Sequence, residues 1–250
     1  MAEEQTGRSK TFIASIVFIA LIVVGAMVVL LTPRSSETES TPATTASPEA
    51  EGVEVDEDME GIDPSVCGLA ADPDMSMETP PQDAEAVTVG LVKVPGSDTF
   101  GPGDENTNVP TCWQYSEAGA VSAAYTFMAT ATDAARLTEG HLIEHLSEGP
   151  GRDEMLGQLE QLKRENPEQL GTTSAQIKPV GYRVLEFGNG QARIDVLVEH
   201  AEAPGEYAGM AYQLVWEDGD WKLEVTQMGE NYSEMRRVPD PSDFVMWEMD

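Results

Sequence analysis

The first run of apolar positions along the chain is also the longest. Phe12 to Leu31, FIASIVFIALIVVGAMVVLL, carries no charge and no proline. As a helix these residues rise about 30 Å, the thickness of a bilayer's hydrocarbon core. The run is too long for the apolar part of a cleaved signal, and Leu31-Thr32-Pro33-Arg34 is a poor cleavage site, so it predicts a signal-anchor. Arg8 and Lys10 precede it, whereas Arg34 is followed by no Lys or Arg until Lys93, which orients the N-terminus to the cytoplasm. Gly25 lacks a small-xxx-small pattern around it and reads as neutral.

Residues 32–64 are rich in Ser, Thr, Pro, Ala and Glu and poor in large apolar side chains. Such a stretch cannot offset the entropy of ordering and predicts a disordered acidic tether, spanning roughly 30 Å. From Ser65 to about Asn108 the pattern is loop-like, with one strand candidate at Val87–Val94 and a turn at Gly101-Pro102-Gly103. It reads as an extended arm lying on the domain that follows.

Helical spacing comes next. Ser116 caps a helix through about Thr130, with Ala118, Val121, Tyr125 and Met128 on one face. A short helix from Thr138 buries Leu142, Ile143 and Leu146. A third, about Arg152 to Glu165, turns Met155, Leu159 and Leu162 inward and stops before Pro167. The period then becomes two. Strands 181–187 and 191–200 meet at Asn189-Gly190, pairing Phe187 with Ala192, Leu185 with Ile194 and Glu186 with Arg193. One face carries Ala192, Ile194, Val196 and Val198; the other, with Arg193, Asp195 and Glu199, reads as wet. A second hairpin, Tyr207–Trp216 and Trp221–Gln227, turns at Asp218-Gly219. That register sets Trp216 against Trp221, Leu214 against Leu223 and Tyr212 against Val225, so turn chemistry and hydrophobic pattern agree. Residues 231–250 read as a loose tail in which Phe244, Val245, Met246 and Trp247 are able to dock. The expected order is 1–11 cytoplasmic, 12–31 membrane helix, 32–64 tether, 65–230 an extracytoplasmic α+β domain with its arm, and 231–250 the tail.

Charge narrows the partners. With 45 Asp and Glu against 14 Lys and Arg, the net charge is −31. That opposes nucleic acid and anionic lipid, both polyanions, and favours solubility, cations and basic partners; a salt-adapted source explains the same balance. The cysteines, Cys67 and Cys112, are too few for a structural zinc site. Outside the membrane they are able to form a disulfide that pins the arm to the first helix; the alternative is two buried free thiols.

Candidate chemistry is sparse. Asp56-Glu57-Asp58-Met59-Glu60-Gly61 starts like a calcium loop, but the twelfth position, which needs a bidentate Glu, is Cys67. His141-Leu142-Ile143-Glu144-His145 matches a zinc-peptidase pattern, yet a third ligand is not evident, and solvent-facing histidines beside an apolar stripe explain it far better. Asp195 and His200 are the acid–base candidates, without a second carboxylate aimed at the same point. No catalytic residue, cofactor or metal ligand is assigned.

Helices followed by long antiparallel strands, closing on Val215-Trp216-Glu217-Asp218-Gly219-Asp220-Trp221-Lys222-Leu223, resemble the cone-shaped nuclear transport factor 2-like fold. Over roughly residues 65–225 the segments Ser65-Val66-Cys67-Gly68-Leu69, Val94-Pro95-Gly96-Ser97, Gly101-Pro102-Gly103 and Cys112-Trp113-Gln114-Tyr115-Ser116-Glu117-Ala118-Gly119-Ala120 are similar to an uncharacterised family of actinobacterial membrane-anchored proteins encoded in conjugative elements. Members often have Ser-Pro before the Gly-Ala, where this chain has Ser116-Glu117. Anchor, tether and fold together also resemble the single-pass scaffold subunits of type IV secretion channels. The resemblance implies an extracytoplasmic scaffold at the cell membrane, with protein partners such as secretion-channel subunits, homo-oligomers and no nucleic acid. The alternative is a ligand-binding or acid–base enzyme domain using the cone cavity. As sites it leaves the Cys67–Cys112 pair and the structural hairpin of Trp216, Gly219 and Trp221.

Overall fold

The computed structural model describes residues 62–104, 109–131, 143–166, 177–247 and 249. All of them fall in the unit Val55–Asp250. The predicted span Phe12–Leu31, the acidic run 56–60, His141, Leu142, the Thr138 cap and Pro167 lie outside the described residues. No helix among the described residues is long and apolar enough to cross a membrane.

A long apolar helix is the centre of the molecule. Helix α1, Glu117–Ala131, begins where Ser116 Oγ accepts the Gly119 amide at 3.0 Å, an N-cap of the expected kind. Its sequence predicts one buried face; in fact every residue from Ala118 to Thr130 is buried. Alanines all round explain this, because small side chains let neighbours approach from every side, and a helix apolar on all faces is a core helix. Strands β1 (Glu85–Val89) and β2 (Val92–Gly96) form a hairpin against it. The sequence reads this stretch as one strand, but Gly90, at φ 64°, turns it back and leaves Leu91 exposed. Helix α2, Pro150–Glu165, is peripheral: Leu159 is buried, and Met155 and Leu162 are half-buried.

On the other side of α1 lies an antiparallel sheet built from β3 (Ile177–Gly188), β4 (Gln191–His200), β5 (Ala203–Glu217), β6 (Asp220–Glu224), β7 (Arg236–Val238) and β8 (Val245–Met246). The order is β6-β5-β4-β3-β8, with β7 also pairing β5. Both hairpin turns have the expected primed geometry, Asn189 and Gly190 at φ 52° and 73°, Asp218 and Gly219 at 56° and 76°. Trp216 pairs Trp221 and Leu214 pairs Leu223 as the turn requires, but β6 ends at Glu224, and Tyr212 finds its partner in Ile194 rather than in Val225.

One residue separates the expected β3–β4 register from the actual one. Phe187 faces Ala192 and Glu186 faces Arg193 as read, but the pairing slips between Val184 and Glu186. Leu185 is the extra residue of a bulge, 42% exposed, and Val184 takes its place opposite Ile194. From Val184 back to Gly181 the side chains therefore change face, so Arg183 stands opposite Asp195 and Tyr182 points inward opposite Val196, until a second slip between Pro179 and Gly181 shifts the register again.

Two apolar clusters result. The main core joins α1, the β1–β2 hairpin and the inner sheet face, where Ala192, Ile194, Val196 and Val198 are all buried. A small second cluster, Val180, Leu197 and Val238 with Tyr207 and Phe244 against it, lies on the outer face. The tail makes that cover. Instead of lying loose, its segments pair as β7 and β8, and Trp247 enters the main core at 6% exposure, edge-on to Tyr182 and Phe100. The result is an α+β fold, helices packed on an antiparallel sheet.

Candidate functional site

Two places on this scaffold gather polar chemistry, and the sequence draws attention to only one of them.

The first is the junction under the last hairpin. Cys67 and Cys112 form a disulfide, their Cα atoms 5.8 Å apart. Residues 62–67 lie along the β5–β6 turn: the Val66 amide donates to Gly219 O at 2.9 Å, and Trp216 Nε1 donates to Asp63 O at 2.8 Å. Gly219 has no room for a Cβ, because the Pro64 carbonyl occupies that place. Asp220, the next residue, is 4% exposed and collects three backbone amides, from Cys112 and Trp113 at 2.9 Å and from Trp221 at 3.0 Å. Cys112 adopts a left-handed φ of 79°, and this carboxylate holds the strained turn in place. Burial pushes the Asp220 carboxyl above the ordinary value, against the opposing pull of the Trp113 and Cys112 amides and of Lys222. Above the junction Trp221 stacks on Tyr115 at 5.5 Å between ring centres and meets Trp216 edge-on at 5.2 Å. Trp216, Gly219 and Trp221 thus lie together beside the disulfide, as a structural assembly.

The loop that the bridge closes spans a sequence separation of 45 residues. Removing both sulfurs by the pair Cys67→Ser and Cys112→Ser should cost about 4 kcal/mol by the loop-entropy estimate. Urea unfolding of the variant beside the oxidised parent measures it, and a loss under 1 kcal/mol would contradict the estimate.

The second place is the outer sheet face, which the sequence reads as wet. Asp195 is fully buried there. Arg183, across the hairpin, donates Nη2 to Asp195 Oδ2 at 2.9 Å; Arg236, from β7, donates Nη1 to Oδ1 at 3.0 Å and Nη2 to Oδ2. Two guanidiniums on one carboxylate explain how a buried charge is tolerated. The same hydrogen bonds hold the Arg236 guanidinium above its ordinary value. Arg183 also lies over the Phe244 ring at 4.9 Å and reaches Asp243 at 3.9 Å. An open depression of about 370 Å³ lies over the cluster, lined by Arg183, Leu185, Arg193, Ala211, Glu234 and Arg236. Arg193 is exposed and has no ion-pair partner among the described residues. The bulge makes this site, because without it Arg183 would face the core. A hydrophobic Leu185 flanked by Val184 and Glu186 is a faint signal for it, since strict alternation fails at that position.

Of the remaining candidates, His141 lies outside the described residues. His145 is buried, edge-on to the Trp113 ring at 6.4 Å, rather than solvent-facing, and Ile143 is exposed instead of buried. The helix ends at His145, and Leu146, buried as expected, pairs with Leu223 in an isolated parallel bridge. Among the described residues no group of His, Cys, Asp and Glu is arranged to hold a metal ion. His200 lies at the end of β4, where its Nδ1 accepts the Glu202 amide at 3.2 Å, away from Asp195.

A disulfide-closed α+β domain, with an aromatic interior and an arginine cluster on the outside of its sheet, is the class that these features define. The chain belongs to the family described as a domain of unknown function, DUF8175, whose profile matches residues 36–246. No curated protein and no solved structure matches the chain.

Proposed function

We propose that this is a membrane-anchored extracytoplasmic scaffold, a protein that binds other proteins, with the outer sheet face as its contact surface. The observation that carries the reading is how the interior is occupied. Trp113, Tyr115, Tyr125, Tyr182 and Trp221 are all nearly or fully buried and fill the space between helix and sheet that an enzyme of this shape would keep for substrate. Polar chemistry collects on the outside, around Asp195. The long apolar run Phe12–Leu31 supports the anchor. The order of helices and strands supports a nuclear transport factor 2-like cone, and the resemblance of the Cys67 and Cys112 segments to membrane-anchored proteins of conjugative elements supports a place in type IV secretion-like machinery. Fold alone does not fix function, so the test must address partners.

Crosslinking in intact cells, followed by mass spectrometry of what co-purifies with the full chain, supplies that test. The expected result is recovery of secretion-channel subunits or of oligomers of the chain itself. Recovery of monomer alone would overturn the scaffold reading and favour a small-molecule site.

A further inference from the structure

The antiparallel sheet ends in an incomplete edge. β8 pairs β3 only at Gly181 and Tyr182, although β3 runs on to Gly188. Among the described residues, 183–188 therefore have a strand on one side alone, that of β4. On the other side the Trp247 amide donates to Val180 O at 2.8 Å and Tyr182 pairs Val245, so alternate residues of β3 turn their backbone groups to this edge. Val184 is the next residue in that phase, and its amide and carbonyl face the open side. An edge in this state is a template for another strand.

The open stretch is one wall of a groove of about 350 Å³. The opposite wall is the arm at Met77, held from two sides: its amide donates to Glu117 Oε2 at 2.8 Å, and its carbonyl accepts the Tyr182 hydroxyl at 3.0 Å. Val184 and Phe187, both half-buried, and the exposed Leu185 give the groove apolar side chains. Its charged lining is Glu78, Glu117 and Glu186, with no Lys or Arg. Arg193, opposite Glu186 in the register, offsets one of these carboxylates, and Arg183 is taken up by Asp195 and Asp243. Glu78 and Glu117 have no ion-pair partner among the described residues. The net charge of −31 adds its own attraction for a cationic ligand. A second copy would bring the same carboxylates to the contact, where like charges repel. The occupant that fits is a basic strand from another protein.

We propose that the edge of β3 at residues 184–187 receives, as an added strand, an extended segment of another protein in which Lys or Arg alternates with apolar residues. Backbone pairing begins at Val184. The alternation sets the apolar side chains against Val184, Leu185 and Phe187 and the basic ones against Glu78, Glu117 and Glu186. Leu185 also lines the depression on the outer face, so this edge continues the contact surface of the scaffold. The inference rests on that scaffold reading and names the partner's chemistry.

The full chain in neutral detergent, with the fluorescent peptide Lys-Val-Lys-Val-Lys-Val-Lys as probe, tests this by anisotropy at about 0.15 M salt. The peptide should bind, and two changes should each weaken it about tenfold: methylation of its backbone amides, which keeps the charge but removes the donors of a strand, and Glu78→Lys with Glu186→Lys in the protein. Glu165→Lys with Glu202→Lys, the same change of charge at exposed positions elsewhere, should alter binding by less than about twofold, and melting temperatures establish that each variant is folded. Absence of binding would overturn the proposal. So would binding indifferent to methylation or to where the lysines are placed, which is plain attraction between a polycation and an acidic chain. A dimer that the peptide dissociates would overturn it too, the second copy being then the occupant. If the peptide does not bind while crosslinking in cells still captures partners, this inference falls and the scaffold reading stands. If it binds as expected and cells yield monomer alone, the edge stands as a peptide site and the scaffold reading falls.

Discussion

Asp220→Ala should destabilise the domain by about 3 kcal/mol, though the substitution removes no apolar contact. The side chain accepts the amides of Cys112, Trp113 and Trp221 in a place with 4% exposure. A buried donor left without an acceptor costs about 1–3 kcal/mol, and three such donors exceed what a relaxing loop or an entering water recovers. The lower end of the sum applies because the site lies near the surface, under residues 112–113. In a domain of this size the change should appear as a drop of roughly 6–12 °C in melting temperature. Asp220→Asn separates charge from geometry. One of its atoms still accepts, but its NH₂ must face at least one backbone N–H, so it should fall between the parent and the alanine variant. Thermal unfolding of the three proteins with the disulfide intact decides the matter. An alanine variant within 1 kcal/mol of the parent would mean that water replaces the carboxylate and that the disulfide and the Val66–Gly219 and Trp216–Asp63 hydrogen bonds hold the junction without it.

Trp221→Ala should cost more, about 4–5 kcal/mol, at the upper end for truncating a buried aromatic side chain. Trp221 is fully buried, stacked on Tyr115, edge-on to Trp216 and tilted against Phe187, and its Nε1 donates to Gln114 O at 3.0 Å. The cavity would open among three rigid rings that cannot collapse into it without leaving their rotamers. Trp221→Phe keeps most of the stack and loses the hydrogen bond, so about 1–2 kcal/mol is expected. The pair Trp221→Ala with Tyr115→Ala should be clearly less costly than the sum of the singles, because both delete the same stack. Urea unfolding with near-ultraviolet dichroism measures all four variants. Additive losses would show that the rings act independently and would refute the cluster.

Local signals in the sequence were legible in proportion to how local their causes are. Asp218-Gly219 and Asn189-Gly190 set their turns through backbone conformations available at those residues alone, so the hairpins and the Trp216–Trp221 pair could be read directly. Ser116 announced the start of α1 for the same reason. What was not legible depends on partners distant in sequence. The alanines of α1 do not say how many sides will be covered, and the one-face reading of that helix fell short because β1–β2 is formed by residues that pack from behind. The bulge at Leu185 is a choice between two registers that differ by one residue. It is decided by burying Tyr182 and Val184 and by bringing Arg183 to Asp195, none of which a window of neighbours contains. Asp195 therefore read as a wet strand residue, and Arg236, in what looked like a tail, carried no sign that it would reach it. Trp247 was visible as an apolar residue without an address.

That address bears on the order in which the molecule is able to fold. Trp247 completes the main core from the far side of β3, while Met77 and Phe100 enter the same core from the arm, so contacts between widely separated stretches close the structure last. Such closure is slow, because long loops must be brought together before any of these contacts forms. As the chain emerges from its N-terminal side, α1 and the β1–β2 hairpin are available early, but the apolar surface at Phe100 and Tyr125 lacks the Trp247 ring until residues 244–247 arrive. The interval before that moment is when the domain is most exposed to aggregation, and a carrier or membrane surface that shields α1 would act then.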